Sequence, residues 1–239
     1  MKEVLGAIRR ADKDFHMIAE GDTVAVGVSG GKDSLMLLYA MALYRKFSPN
    51  KFRLIAVTLT MGLEPFDLSG IRKLCEEQDV EYVVKETEIG KVIFDIRKEK
   101  NPCSLCAKMR RGALIDLCRE LGVNKLALGH HRDDAIETLF LSMLYEGRMH
   151  TFHPVTFLSR SGITQIRPMV YLSEKYIIHM VKQLDLPVVQ SPCPANGYTK
   201  REDMKELIKY MTKMVPAAPE QILQALKNDA EYGLWNKPE

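Results

Sequence analysis

A chain of 239 residues with 46% hydrophobic and 27% charged side chains can bury a full core and has the balance of an ordinary globular protein. Its net charge of +3 permits a nucleic-acid partner without demanding one, because such binding follows local basic clusters rather than totals. No run of about 18 apolar residues reads as a membrane span, and Met1-Lys2-Glu3 opens a charged amphipathic segment rather than a secretory leader. Five cysteines in such a chain do not suggest a disulfide framework. The expectation is a cytoplasmic protein with no membrane partner.

In chain order, residues 1–20 predict an amphipathic helix with Ile8, Phe15 and Ile18 on its buried face and Arg9, Arg10 and Lys13 on its wet one. Strands are predicted at 23–28, 53–60, 81–85, 125–129 and 164–167. The first four are rich in Val, Leu, Ile and Ala, as strands covered on both faces of a parallel sheet are. Helical patterns alternate with them at 33–45, 68–78, 105–121 and 134–145, which implies an open parallel sheet flanked by helices, with ligands at the carboxyl ends of its strands. After Pro168 come helices at 173–184, 200–214 and 220–228, interrupted by a proline-rich turn at 187–194. The expected division is an N-terminal helix, residues 1–20, an α/β nucleotide domain, 21–170, and a small C-terminal helical extension, 171–239.

Between the first strand and the second helix lies Ser29-Gly30-Gly31-Lys32-Asp33-Ser34. Adjacent glycines let the backbone turn sharply and approach a ligand, and the following helix offers unpaired N–H groups and a positive dipole end. Ser29, Lys32 and Ser34 add donors at the same place, so the chemistry is that of a phosphate site. The spacing is not the G-x-x-x-x-G-K-[ST] loop of kinases and GTPases. It resembles the SGGxDS pyrophosphate loop of the PP-loop ATPases, which cleave ATP between its α- and β-phosphates and place AMP on an oxygen that must leave.

Cys103-Ser104-Leu105-Cys106 forms a C-x-x-C at the start of a helical segment, and Cys193 sits between Pro192 and Pro194. Cys75 and Cys118 fall inside amphipathic helices and read as small core residues. A C-x-x-C alone fits a redox pair or half a zinc site. Structural zinc wants four ligands, and a redox pair leaves Cys193 idle. An iron–sulfur cluster on Cys103, Cys106 and Cys193, with one iron lacking a protein ligand, is the third reading, since thiolates suit such clusters. On the residues alone all three stand.

The cysteine pair is followed by Lys108-Met109-Arg110-Arg111-Gly112 and then by Leu128-Gly129-His130-His131-Arg132-Asp133-Asp134. With Ser29–Ser34 and the late cysteine, these segments resemble the TtcA family, the tRNA 2-thiocytidine synthetases, in order from about residue 1 to 211. The resemblance implies an adenine-nucleotide α-hydrolase-like sheet and a [4Fe-4S] cluster on Cys103, Cys106 and Cys193. It also implies adenylation of the C2 oxygen of an anticodon-loop cytidine, which sulfur then replaces with release of AMP. ATP, Mg²⁺ and tRNA follow as ligands, a cysteine desulfurase or free sulfide as sulfur donor, and a homodimer is common in the family.

Carried onto this chain, Ser29, Gly30, Gly31, Lys32, Asp33 and Ser34 hold the β- and γ-phosphates, with Gly129 nearby, and Thr58 and Leu59 meet adenine through their backbone. Asp33, Asp133 and Asp134 are the expected Mg²⁺ carboxylates, although an acidic pair at a helix start also caps it. Arg110, with Lys108 and Arg111, forms a basic rim for RNA phosphate or the transferring phosphoryl group, against the plainer reading of a solvated helix face. Lys200, Arg201 and Tyr198 extend that rim less clearly, because Glu202 and Asp203 follow. His130 and His131 are ligands or bases, or hydrogen-bonded structural groups.

Two features depart from near relatives. No zinc-finger cysteine pairs flank the domain, unlike the related thiouridine synthetases that carry them. Pro-Cys-Pro-Ala-Asn-Gly around Cys193 also lacks a second cysteine. The rival readings are another PP-loop reaction on tRNA, either 2-thiouridine formation or lysidine-type nitrogen transfer, and a non-catalytic nucleotide- or zinc-binding module that recognises RNA.

Overall fold

The computed structural model describes residues 1–62, 67–97, 102–189 and 200–228, and of Asp95 and Cys103 the backbone alone. The chain forms two compact units, one of Met1–His131 with His153–Asn196 and a second of Arg132–Phe152 with Gly197–Glu239.

The first unit is built on β1 (Thr23–Gly27), β2 (Arg53–Leu59), β3 (Glu81–Lys85), β4 (Lys125–Ala127), β5 (Val155–Leu158) and β6 (Ile163–Ile166). Among the described residues these make one sheet in the order β3-β2-β1-β4-β6-β5. The strands β1, β2, β3, β4 and β6 pair in parallel, as expected from the strand–helix alternation, although β3 lies at the sheet edge with no buried residue rather than covered on both faces. To the expected open parallel sheet the structure adds β5, which pairs antiparallel with β6 through a short hairpin closed by Gly162 at φ +72°. β5 escapes a periodicity reading because it is a half-exposed edge strand, with Phe157 65% exposed.

The order places β2 on one side of β1 and β4 on the other, so the chain reverses its winding direction there. That reversal opens a crevice at the carboxyl ends of β1 and β4, the place where open α/β sheets bind ligands.

Helices α1 (Lys2–Phe15), α2 (Lys32–Arg45), α3 (Ser69–Glu77), α4 (Ile89–Lys91), α5 (Pro102–Glu120) and α7 (Glu174–Gln183) flank this sheet. In chain order α6 (Arg132–Glu146), α8 (Lys200–Met214) and α9 (Ala218–Lys227) belong to the second unit. α2 is apolar on every side because α1, α7 and the sheet all pack on it, and Leu35, Met36, Leu37 and Leu38 are wholly buried. α1 buries Ile8 as expected but stops at Phe15, where His16 turns left-handed at φ 49°. Buried Asp12 then fixes the exit: it accepts the N–H of Ile18 at 2.9 Å and the hydroxyl of Tyr44 at 2.6 Å. α4 runs into a π-helical turn over Val92–Ile96 that the periodicity does not announce, because it is short and held mainly by burial of Ile89 and Ile93.

Candidate nucleotide and cluster site

β1 delivers the chain to the loop at Gly27, and Val28 continues the ladder by donating its N–H to Val57 at 2.8 Å. Gly30 then turns with φ +82°, a conformation that costs L side chains strain, and Gly31 caps α2 in an extended conformation. Ser34 folds back over the turn. Its Oγ accepts the Ser29 N–H at 3.1 Å and the Ser29 hydroxyl at 3.2 Å, and donates to the Gly31 carbonyl at 2.9 Å. Among the described residues no side chain caps α2, so its first N–H groups and dipole end face the turn.

The loop is braced from three directions. Thr58, 1% exposed, donates its hydroxyl to the Val28 carbonyl at 2.8 Å and accepts from the Tyr82 hydroxyl at 2.9 Å. The Thr58 side chain is thereby committed to the scaffold, and Thr58 and Leu59, the last residue of β2, pair with Val84 and Lys85 of β3. Gly129, just beyond β4, lies so close to α2 that an added Cβ would stand 3.0 Å from the Asp33 carbonyl carbon and 3.1 Å from the Ser34 nitrogen. Finally, Val189, four positions before Cys193 in the sequence, donates its N–H to the Gly30 carbonyl at 2.9 Å.

Charge gathers at the start of α2. The Lys32 ammonium lies 2.8 Å from Asp33 Oδ2 and 2.9 Å from Glu174 Oε1. Burial opposes its charge, but hydrogen bonds and attraction from the two carboxylates outweigh that and raise its pKa above the ordinary lysine value. Buried His131 places Nε2 3.7 Å from Asp33 Oδ1. His130 accepts at Nδ1 from Arg167 Nε at 3.3 Å. Arg167, nearly buried, also donates to the His153 carbonyl at 2.6 Å and to Thr156 Oγ1 at 3.2 Å. Burial, and then repulsion from Arg111, pushes its pKa down to about 10, which leaves it charged at neutral pH.

On α5 the positions of Cys103 and Cys106 fall three apart near the helix start, where the dipole favours a thiolate. Cys106 is half-buried, and Lys108, Arg110 and Arg111 are exposed one turn further on. Cys75 and Cys118 are buried, and burial first of all pushes their thiols up to about 11 and about 12, which fits inert core residues. Cys193 and Tyr198 lie outside the described residues. Among the described residues no three His, Cys, Asp or Glu side chains gather as a metal site.

The second unit holds Asp133 and Asp134 in the first turn of α6. Asp133 accepts from Arg132 at 3.1 and 3.2 Å, and Asp134 from Arg201 at 3.0 Å. Arg201 also reaches Thr138 at 3.3 Å and Glu137 at 3.6 Å, so its guanidinium is tied to α6. Lys200 lies over the Tyr145 ring, 4.1 Å from its centroid. Glu174, Arg167 and Val189 escaped the motif reading. The only signals they carry are a charged residue closing an apolar strand and an acid in a helix's first turn.

A Ser-Gly-Gly turn between a buried strand and a helix start, set beside the reversal point of a parallel sheet, defines a PP-loop nucleotide-binding domain. A family profile described as a PP-loop domain matches residues 6–208. The chain is 38% identical over 230 residues to the tRNA-cytidine(32) 2-sulfurtransferase of Geobacter sulfurreducens, covering 95% of this chain and 90% of that protein. It is 39% identical over 225 residues to the same-named protein of Pelobacter propionicus, covering 93% and 84%. The solved U34-tRNA thiolase NcsA from Methanococcus maripaludis, with its [4Fe-4S] cluster, superposes with a TM-score of 0.77 at 26% identity over 99% of this chain and 80% of that one. The chain belongs to the PP-loop family and, within it, to the tRNA-cytidine(32) 2-sulfurtransferases.

Proposed function

We propose that the protein is an ATP-dependent tRNA thiolase acting on a cytidine of the anticodon loop, position 32 by similarity to its relatives. The observation that carries this reading is the loop Ser29–Ser34: a helix start with no side-chain cap among the described residues, a left-handed glycine and two serines bonded to each other across the turn beside the sheet's reversal point. That is a cradle for polyphosphate. In the proposed reaction the cytidine O2 attacks the α-phosphorus of ATP, the α–β bridging bond breaks, and pyrophosphate leaves. Sulfide then attacks C2 and the C2–O bond breaks with loss of AMP. Such chemistry asks the protein for placement and charge neutralisation.

Ser29, Gly30, Gly31, Lys32 and Ser34 are assigned to the phosphates, with Gly129 keeping the crevice narrow. Asp33 is assigned to Mg²⁺ on the phosphates, since carboxylates supply one or two of its ligands. Arg110 is assigned to charge developing at the reacting phosphorus, and exposed Lys108 and Arg111 to RNA phosphates.

The donor set suits a [4Fe-4S] cluster: two cysteines share one helix start, whereas the remaining described thiols are buried and held protonated. Cys103, Cys106 and Cys193 would hold it, and such a cluster supplies an iron able to carry the incoming sulfide. A cysteine desulfurase or free sulfide is the proposed donor, and a homodimer the proposed assembly.

Mass spectrometry of tRNA nucleosides from a strain lacking the gene tests this. Loss of 2-thiocytidine, restored by the wild-type gene, is expected. Retention of 2-thiocytidine with loss of 2-thiouridine or lysidine would move the enzyme to another PP-loop reaction, and an unchanged profile would favour a non-catalytic module. Anaerobic purification should yield a brown, iron-containing protein.

A further inference from the structure

The exit of α7 sends the chain back to the phosphate loop. Asp185 turns left-handed at φ 48°, its N–H returns to the Lys182 carbonyl at 3.3 Å, and the Leu186 N–H returns to the Val181 carbonyl at 3.1 Å, the paired bonds of a Schellman close. Leu186 is buried there. Pro187 then lies against α3 at Gly70, where an added Cβ would stand 2.6 Å from the Pro187 Cβ and 3.4 Å from its Cγ. The Val188 N–H closes a tight turn on the Leu186 carbonyl at 2.8 Å, and the Val189 N–H reaches the Gly30 carbonyl at 2.9 Å. Residues 185–189 are therefore held by the end of α7, by α3 and by the loop itself.

The last of these contacts acts on a single peptide unit. The Gly30 carbonyl and the Gly31 N–H belong to one planar trans peptide, so they point in opposite directions. Both flanking residues are glycines, which accept either sense of φ, so their own sterics leave this peptide free to turn over.

We propose that residues 186–189 are a positioning segment for the phosphate loop. Seated by Pro187 on Gly70, they hold the Gly30 carbonyl through the Val189 N–H and so keep the Gly31 N–H turned toward phosphate. This rests on the reading of Ser29–Ser34 as the polyphosphate cradle.

The orientation decides the sign of the contact. Turned over, the same peptide would set a carbonyl dipole against an anion in place of an N–H. The donor at 189 is a backbone group, so any residue but proline serves there and no motif marks it. Gly70 has a matching explanation. Alanine is ordinarily the better helix residue, yet a Cβ at this point of α3 meets a proline ring that cannot rotate aside.

Calorimetric titration of the anaerobically purified holoenzyme with magnesium pyrophosphate is the test, with iron analysis and a melting curve on each preparation. Val189→Pro, which removes the donor, and Gly70→Ala, which pushes Pro187 off its seat without touching the loop, are each expected to bind magnesium pyrophosphate about tenfold more weakly than wild type. Val189→Ala, which keeps the N–H, is expected to stay within about twofold of wild type, a split that a packing role for the side chain would not give. Wild-type affinity in the folded Val189→Pro or Gly70→Ala protein would overturn the proposal. Iron lost with pyrophosphate affinity kept would also overturn it, and would make the segment a support for Cys193, four positions further on. Wild-type holoenzyme binding neither magnesium pyrophosphate nor ATP would instead remove the cradle reading itself, and the positioning role with it.

Discussion

Cys106→Ser is expected to lower tRNA thiolation by more than about 100-fold, since even partners one step removed from a metal ligand change metal affinity 10–100-fold, while the variant still binds ATP. The reasoning is spatial and chemical. Cys106 sits half-buried near the start of α5, whereas the phosphate cradle is assembled from the turn after β1 and the glycine after β4. A serine oxygen is a hard ligand that replaces a soft thiolate poorly. Iron analysis, the visible absorption band and ATP filter binding on the same preparation read the three quantities separately. Iron content and thiolation should fall together with nucleotide affinity kept. Equal loss of ATP binding would make Cys106 a structural residue and take the cluster out of the mechanism.

The second large effect is expected at Gly129. A side chain there meets the Asp33 carbonyl group and the Ser34 nitrogen at 3.0 to 3.1 Å, and these are backbone atoms of a helix start that cannot swing aside. Gly129→Val should force α2 and the strand end apart, costing about 2–3 kcal/mol, the range of overpacked cores, and lowering the melting temperature by roughly 5–10 °C. The same displacement moves the N–H groups of α2 off the phosphate position, so ATP affinity should fall more than tenfold even at temperatures where the variant is folded. Gly112→Ala is the natural control, because an added Cβ there meets nothing within 4 Å. A Gly129→Val protein with wild-type ATP affinity would show that the close packing has no bearing on the loop.

What could be read from residues alone divides along the reach of the interactions. β1, β2 and β4 announce themselves because strands covered on both faces need apolar runs, whereas β3, an edge strand with no buried residue, does so by its Tyr-Val-Val centre alone; α8 falls at 200–214 as its pattern indicates. The loop is legible for the same local reason: a turn with φ +82° favours glycine. The antiparallel β5 is not, since an edge strand with one wet face carries half the signal, and α4 is too short to show a period. The neighbours of Lys32 and His130 are less legible still. Glu174 and Arg167 arrive from 142 and 37 positions away (174 − 32 and 167 − 130), and nothing in their own surroundings marks them for the site. Asp133 and Asp134 show the reverse. Their pairing is plain in the sequence, and Arg132, the partner of Asp133, is its chain neighbour, yet the Arg201 partner of Asp134 is supplied only by the fold.

The burial of Cys75 in α3 and Cys118 in α5 has a practical corollary. With thiols held protonated up to about 11 and about 12, both should stay silent toward a maleimide or iodoacetamide near pH 8, so long as the chain is folded. Every alkylated site on native protein then comes from the other three of the five cysteines. Isotope-coded labelling before and after anaerobic reconstitution would accordingly report occupancy by direct subtraction, against a background the core itself sets to zero.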